Sequence, residues 1–395
     1  MKIKFITTIC LAILAFPGPG IKPEKAVIKE APPVVKKKTN LALIRVSQNN
    51  DSVQRELESI LNSMQGLMTR VVSEGTVSAA SITIYHKNSV ILDLQQGASP
   101  ETPFALASVT KPITSLAILK LAEEGTLKLS NPVSKYIEGF KAAYPPIDGK
   151  EITIRNLLQH TSGIPYDGFY TSVLVQLDNN KSFYAPKQIS PAGSRFMYSN
   201  SNYRILAKII EVVTGKSYTQ YIKENVFQPL QMTTSIISMN ADGASGIAAS
   251  PKDMVNFASM YLNYGKWNDE RILSSTRLKS IFRSPAFMEK SPNMQFYGLG
   301  FRVAKENNLV QMFYHTGMWT GIFADLRIFP RKKSFIVQMA NPQEFRGAKF
   351  TGYQGTMTAL AMRYIELASK LPSEDNQEEA SEDLEESPDI AIDME

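Results

Sequence analysis

The stretch from residue 108 to residue 125, SVTKPITSLAILKLAEEG, is apolar on nearly every side. A helix of that kind is enclosed by other elements rather than laid on a surface with one wet face. Proline has no amide hydrogen and is tolerated only in a helix's first turn, so Pro112 places Ser108 at or just before the helix start. Gly125 is a suitable stop. Lys111 then lies one turn from Ser108 on the same face, within side-chain reach. The free N–H groups of a helix start also favour negative charge developing there. Burial disfavours a lysine's charged form, so Lys111 needs a partner or a depressed pKa. A serine hydroxyl about to lose its proton would be such a partner. With 395 residues, 43% hydrophobic and 20% charged, the chain has ample material for the core this helix requires.

Around that segment the periodicity changes several times. Val53, Leu57, Ile60, Leu61, Met64, Leu67, Met68 and Val71 fall at helical spacing. Residues 79–85 and 89–94 read as a hairpin across His86-Lys87-Asn88. The middle, roughly 105–290, is mostly helical. Antiparallel strands are expected at 300–304, 310–315, 321–330 and 334–340, and a last helix near 357–368. No internal repeat is present.

The ends differ from the body. MKIKFITTICLAILAF, residues 1–16, has two lysines followed by an apolar run too short for a comfortable membrane span, which is the pattern of a signal peptide. No A-x-A site fixes the cleavage point. The single cysteine, Cys10, lies within this run, so a cleaved chain would have no disulfide. That suits the bacterial periplasm or exterior; the alternative is an anchor left uncleaved in the membrane. Residues 17–45, with Pro17, Pro19, Pro23, Pro32, Pro33 and Lys36-Lys37-Lys38, read as a flexible spacer. Residues 373–395 hold 11 acidic and no basic side chains, the composition of a disordered tail. The rest carries 43 basic against 26 acidic residues, an asymmetry hidden by the net charge of +6. Such a body suits an anionic envelope or cell-wall polymer, and equally an ordinary solvated surface. No aromatic-interleaved basic patch points to nucleic acid.

Two further motifs follow Ser108-Val109-Thr110-Lys111. Tyr198-Ser199-Asn200 begins 90 residues after Ser108, and His315-Thr316-Gly317 begins 115 residues beyond Asn200. Together they read as a serine acyl-transfer site: a nucleophile with its lysine, a tyrosine proton carrier, and a backbone edge that docks substrate. Taken singly, each has a plainer explanation. Ser108 could cap a helix, Tyr198 could be a half-buried packing residue, and His315 a satisfied strand histidine. Tyr261-Leu262-Asn263 also fits the second pattern, but Met254, Phe257, Ala258 and Tyr261 are helically spaced and belong to the core. Gly317 lets a substrate approach its strand closely. Three histidines without HExxH argue against a zinc hydrolase. The lack of G-x-S-x-G and of G-x-G-x-x-G or a P-loop argues against an α/β-hydrolase and a nucleotide enzyme.

The order, spacing and flanks of the three motifs resemble the serine β-lactamase and penicillin-recognising family over roughly residues 50–370. The likeness is to its class C-like branch, which includes D-Ala-D-Ala carboxypeptidases and esterases. The resemblance implies an α+β, β-lactamase/transpeptidase-like fold. In it an antiparallel sheet is flanked by the terminal helices, a mostly helical region is inserted, and the hydrolase domain spans 46–372. It also implies that His160, in LLQHTSGIP, supports the site from a loop. Ser108 would attack a carbonyl after giving its proton to Lys111 or Tyr198, with the Lys111 cation lowering the Tyr198 pKa towards phenolate. Asn200 would orient the substrate amide. The N–H groups of Ser108 and Met318 would form the oxyanion hole. Neither metal nor organic cofactor is needed.

One departure matters. Class C β-lactamases carry Lys-Thr-Gly where this chain has His315-Thr316-Gly317, and histidine is mostly neutral at pH 7. Carboxylate recognition at that position should be weaker. The expected activity is therefore an esterase or D-amino-acid peptidase on a small-molecule or peptide substrate, such as one derived from the cell wall, rather than an efficient β-lactamase. A non-catalytic module that binds cell-wall peptide or a partner protein is the alternative, but it would have no need of Lys111 beside Ser108.

Overall fold

Eight strands pair into one antiparallel sheet, and the most enclosed of them comes first in the chain. The computed structural model describes residues 51–166, 172–176, 182–290, 294–344 and 347–371. The expected signal peptide, the spacer and the acidic tail lie outside the described residues. In chain order the strands are β1 (Val77–His86), β2 (Ser89–Gln96), β3 (Ala286–Lys290), β4 (Met294–Tyr297), β5 (Arg302–Glu306), β6 (Leu309–Trp319), β7 (Ile322–Phe329) and β8 (Ser334–Pro342). Across the sheet they run β3-β4-β5-β6-β7-β8-β1-β2. β1 is buried at every position but one, because it lies between β8 and β2 with a core on each face.

Those cores separate by the alternation of the strands. Val77, Ala80, Ile82 and Ile84 join Phe323, Ile336 and Ala340 in one core, beneath α1 (Asp51–Ser73) and α6 (Ala348–Ala368). Ile60, Leu61, Met64, Met68 and Val71 supply the buried stripe of α1. On the opposite face Ala79, Tyr85, Ala324, Leu326, Phe335 and Val337 meet the inserted region and its central helix, α2 (Thr110–Glu123). Lys120 apart, α2 is buried at every position from Thr110 to Ala122, as an all-round apolar sequence requires. The arrangement is the β-lactamase/transpeptidase-like fold.

Three boundaries depart from the sequence reading, one of them the end of β6, which runs on to Trp319 instead of stopping at His315. The second run of strands begins at Ala286 rather than at residue 300. β3 is an edge strand with Phe287 53% exposed, so pairing rather than burial holds it and the apolar alternation is weak. Helix α6 begins at Ala348 rather than near residue 357. Gly352 and Gly355 lower the local helix propensity, and the burial of Phe350 and Tyr353 against the sheet overrides it. No helix among the described residues is long and apolar enough to cross a membrane.

Candidate active site

Ser108 sits in a single 3-10 turn, Ala107–Val109, that leads into α2 at Thr110. The turn is pinned by Leu106 N–H donating to Ile247 O at 2.9 Å and by Val109 N–H donating to Leu106 O at 2.9 Å. Ala107 takes a left-handed conformation with φ 44°, unusual for a residue with a Cβ and common where structure serves a site. Lys111, buried in the first turn of α2, donates from Nζ to Ser108 Oγ at 3.1 Å, Asn200 Oδ1 at 2.9 Å and Ala244 O at 3.1 Å. Its ammonium also lies 4.9 Å from the centroid of the Tyr198 ring, within cation–π range.

Tyr198 and Asn200 are placed by the start of α4 (Asn200–Thr214). Ser199 is the N-cap residue, yet its hydroxyl makes no cap; its N–H donates to Nδ1 of His160 at 3.2 Å. The Asn202 amide lies 3.0 Å from the same nitrogen. His160, fully buried and left-handed at φ 55°, thus ties down the peptide between the two functional side chains. Its ring packs 4.4 Å from that of Tyr198, and its carbonyl accepts from Met197 N–H at 2.7 Å. Burial, then the Lys111 charge, hold its pKa well below the imidazole range.

The expectation of a phenolate at Tyr198 fails. Burial of the hydroxyl pushes its pKa up to about 12, although the hydrogen bond from Ser108 and the charge of Arg302 act in the opposite direction. The cost of stripping the phenol from water outweighs the cations nearby, and Tyr198 is a neutral phenol at pH 7.

His315 lies on β6 and is 1% exposed. Its Nδ1 is 3.0 Å from Thr316 O and its Nε2 is 3.0 Å from the hydroxyl of Tyr297. Burial first, then the charges of Lys111 and Arg302, keep its pKa well below 6.5, so the ring is neutral at pH 7. Gly317, two residues on, faces the nucleophile. A Cβ there would lie 2.0 Å from Leu106 O and 3.0 Å from Ser108 N, so only glycine permits this approach. The strand also has an open edge. β5 pairs with β6 only as far as Arg302↔Tyr314, whereas β7 follows it to Trp319. Before Arg302 the chain bends onto α2 at Gly300, φ 92°, where a Cβ would lie 2.5 Å from Ser115 Cβ. From His315 to Trp319, no strand among the described residues pairs with β6 on that side.

A model of the beta-lactamase family matches residues 64–353, which include all three motifs. The chain belongs to the beta-lactamase family. Protein flp of Staphylococcus aureus is 29% identical over 358 residues, covering 82% of this chain and 70% of that one. The D-alanyl-D-alanine-carboxypeptidase/endopeptidase AmpH of Escherichia coli is 26% identical over 273 residues, covering 60% of this chain and 71% of AmpH. Among solved structures, an octameric penicillin-binding protein homologue from Pyrococcus abyssi shares the fold with a TM-score of 0.61 at 24% identity, covering 77% of each chain.

Within this beta-lactamase-family site the structure brings Ser108, Lys111, Tyr198, Asn200, His315 and Gly317 together, with Thr316 and Met318 on the same strand. It adds two residues that the sequence does not single out. Tyr297 holds His315, and its only sequence signal is a place just before Gly298 and Gly300 at the head of a strand. Arg302, half-buried, acts electrostatically on Tyr198, Tyr297, His160 and His315. No carboxylate pairs with it among the described residues. A lone cation opening an apolar strand, GFRVA, is the clue to it. Among the described residues no group of three or more His, Cys, Asp or Glu side chains could hold a metal ion.

Proposed function

We propose that the chain is a serine hydrolase that forms an acyl-enzyme on Ser108 and cleaves an ester or amide of the D-amino-acid peptide kind, rather than acting as an efficient β-lactamase. One observation carries the reading. The Ser108 hydroxyl accepts from Lys111 Nζ at 3.1 Å, and the same ammonium lies 4.9 Å from the centroid of the Tyr198 ring, so nucleophile, lysine and tyrosine meet at the head of α2.

Because Tyr198 is a neutral phenol, acylation is read as a relay. As Ser108 Oγ bonds to the substrate carbonyl carbon, its proton passes to the Tyr198 oxygen, and the Tyr198 proton passes to the departing oxygen or nitrogen. The phenol never has to ionise beforehand. The Lys111 ammonium stabilises negative charge on Oγ, and the Ser108 and Met318 N–H groups would receive the carbonyl oxygen. In deacylation a water oxygen bonds to the acyl carbon as its proton passes to Tyr198, the bond from that carbon to Ser108 Oγ breaks, and Tyr198 returns a proton to Oγ. The open edge of β6 from His315 to Trp319 would align the substrate chain, with Asn200 orienting its amide.

Two observations bear on the substrate. His315 is neutral, so the position that is lysine in class C enzymes supplies no cation. Arg302 has no carboxylate partner among the described residues and is the charge that would favour a substrate with a free carboxylate. The name of AmpH supports a D-Ala-D-Ala-type amide, and the N-terminal apolar segment supports export to the periplasm or exterior, where such peptides occur.

The test is the intact mass of the full chain after exposure to a fluorophosphonate, with Ser108→Ala alongside. A single adduct on Ser108, absent from the variant, supports the reading. Well-folded protein that takes no adduct favours a non-catalytic binding module. For the substrate, a D-Ala-D-Ala peptide and its C-terminal amide are compared. Arg302→Gln should raise KM for the acid about tenfold and leave the amide unchanged. Equal effects on both would remove Arg302 from carboxylate recognition.

A further inference from the structure

The hydrogen bonds around His315 leave few choices for its protons. Nδ1 lies 3.0 Å from the carbonyl oxygen of Thr316, which can only accept, so Nδ1 carries a hydrogen. Nε2 lies 3.0 Å from the Tyr297 hydroxyl. An imidazolium donating on both sides would fit those atoms, and so would a neutral ring whose Nε2 accepts. Lys111 on α2 and Arg302 on β5 both bring positive charge to the ring, His160 and Tyr198 face it as neutral groups, and no carboxylate among the described residues acts on it. A third positive charge in this space would have no carboxylate among the described residues to balance it.

We propose that Tyr297 is the positioning residue of the third motif: its O–H donates to Nε2 of His315 and fixes the ring as the neutral Nδ1–H tautomer. The far side of Tyr297 is consistent with this. Tyr203 gives its own proton to Leu158 O at 3.0 Å. The Tyr297 hydroxyl meets Nε2 of His315 at 3.0 Å, so its proton has that nitrogen to go to. Two buried groups, Tyr297 and His315, form a directed chain ending on the Thr316 carbonyl, inside the strand that receives substrate. The orientation of Thr316 and Gly317 thus depends on a phenol that is in hydrogen-bond contact with neither Ser108 nor Lys111 and is not a catalytic residue. This assignment deepens the hydrolase reading, but its structural half can be tested without it.

The test uses the full chain labelled with nitrogen-15, with the His315 ring signals assigned by comparison with His315→Gln. In the wild type at pH 6 and at pH 8, Nδ1 should be protonated and Nε2 bare. An imidazolium at either pH, or a proton on Nε2 alone, overturns the proposal, and this needs no substitution at Tyr297. In Tyr297→Phe the Nε2 lone pair loses its donor, so the Nε2 signal should shift towards that of an unbonded ring nitrogen, and fluorophosphonate labelling of Ser108 should slow about tenfold. Tyr203→Phe should keep the wild-type tautomer. A Tyr297→Phe variant with the wild-type ring pattern and labelling rate also overturns it. Should the wild type take no label at all, the hydrolase reading fails while the ring spectra still decide this one.

Discussion

Gly317→Ala is the sharpest probe of how the third motif meets the nucleophile. The added methyl would lie 2.0 Å from Leu106 O, whereas real Cβ contacts essentially never fall below 3.0 Å, so strand and turn must separate by about 1 Å. Neither side yields easily. Leu106 is tied through its N–H to Ile247 and through its carbonyl to Val109, and β6 is paired with β7 as far as Trp319. A misplacement of about 1 Å at a reacting centre costs on the order of 100-fold in rate. Overpacking of this kind destabilises by roughly 1–3 kcal/mol, and each kcal/mol lowers Tm by about 2–4 °C in a domain of this size. The assay is the second-order rate of fluorophosphonate addition at Ser108, followed by intact mass, together with a thermal melt. Gly355→Ala is the control. That glycine is exposed within α6 with nothing near its missing Cβ, and alanine there should gain up to about 1 kcal/mol without changing the rate. If Gly317→Ala labels and melts like the wild type, the close approach of β6 to Ser108 is refuted.

Lys111→Met removes the donor that joins Ser108, Asn200 and Ala244, and should slow acylation by about 10²–10⁴-fold with the fold retained, measured by the same labelling rate. His160 and His315 are held neutral in the folded chain but take a proton near pH 6.5 when unfolded. Their contribution to stability is full above that pH and declines as pH falls below it, by about 1.4 kcal/mol per pH unit for each ring. Urea midpoints that stay level between pH 7 and pH 5 would contradict this. Tyr198, raised from 10.0 to about 12, has the opposite dependence: its contribution is full below pH 10 and is lost as pH rises towards 12. Urea midpoints measured from pH 9 to pH 11 should fall less steeply in Tyr198→Phe than in the wild type.

The elements that carry strong local signals were legible in the sequence, and those held by distant partners were not. An all-round apolar run bounded by Pro112 and Gly125 can only be a buried helix, and its start locates Ser108 and Lys111 together. The strands on either side of the Arg331-Lys332-Lys333 turn follow from alternation alone. β3 leaves no such trace, because edge pairing rather than burial sustains it. The protonation of Tyr198 was misjudged because proximity to a cation is visible in a motif but depth of burial is not. Tyr297 and Arg302 matter through cross-strand neighbours, Tyr297↔Arg302 and Arg302↔Tyr314, that no linear spacing displays.

Helices α1 and α6 lie side by side on the face of the sheet turned away from Ser108, and Arg363 pairs with Glu56 across them at 2.8 Å. A carrier, bead or neighbouring domain joined directly at Asp51 or Leu371 would therefore attach to the rear layer. Immobilisation at those two residues should leave the Ser108 face towards the bulk liquid, and a polymeric substrate could be presented to it without steric conflict from the support.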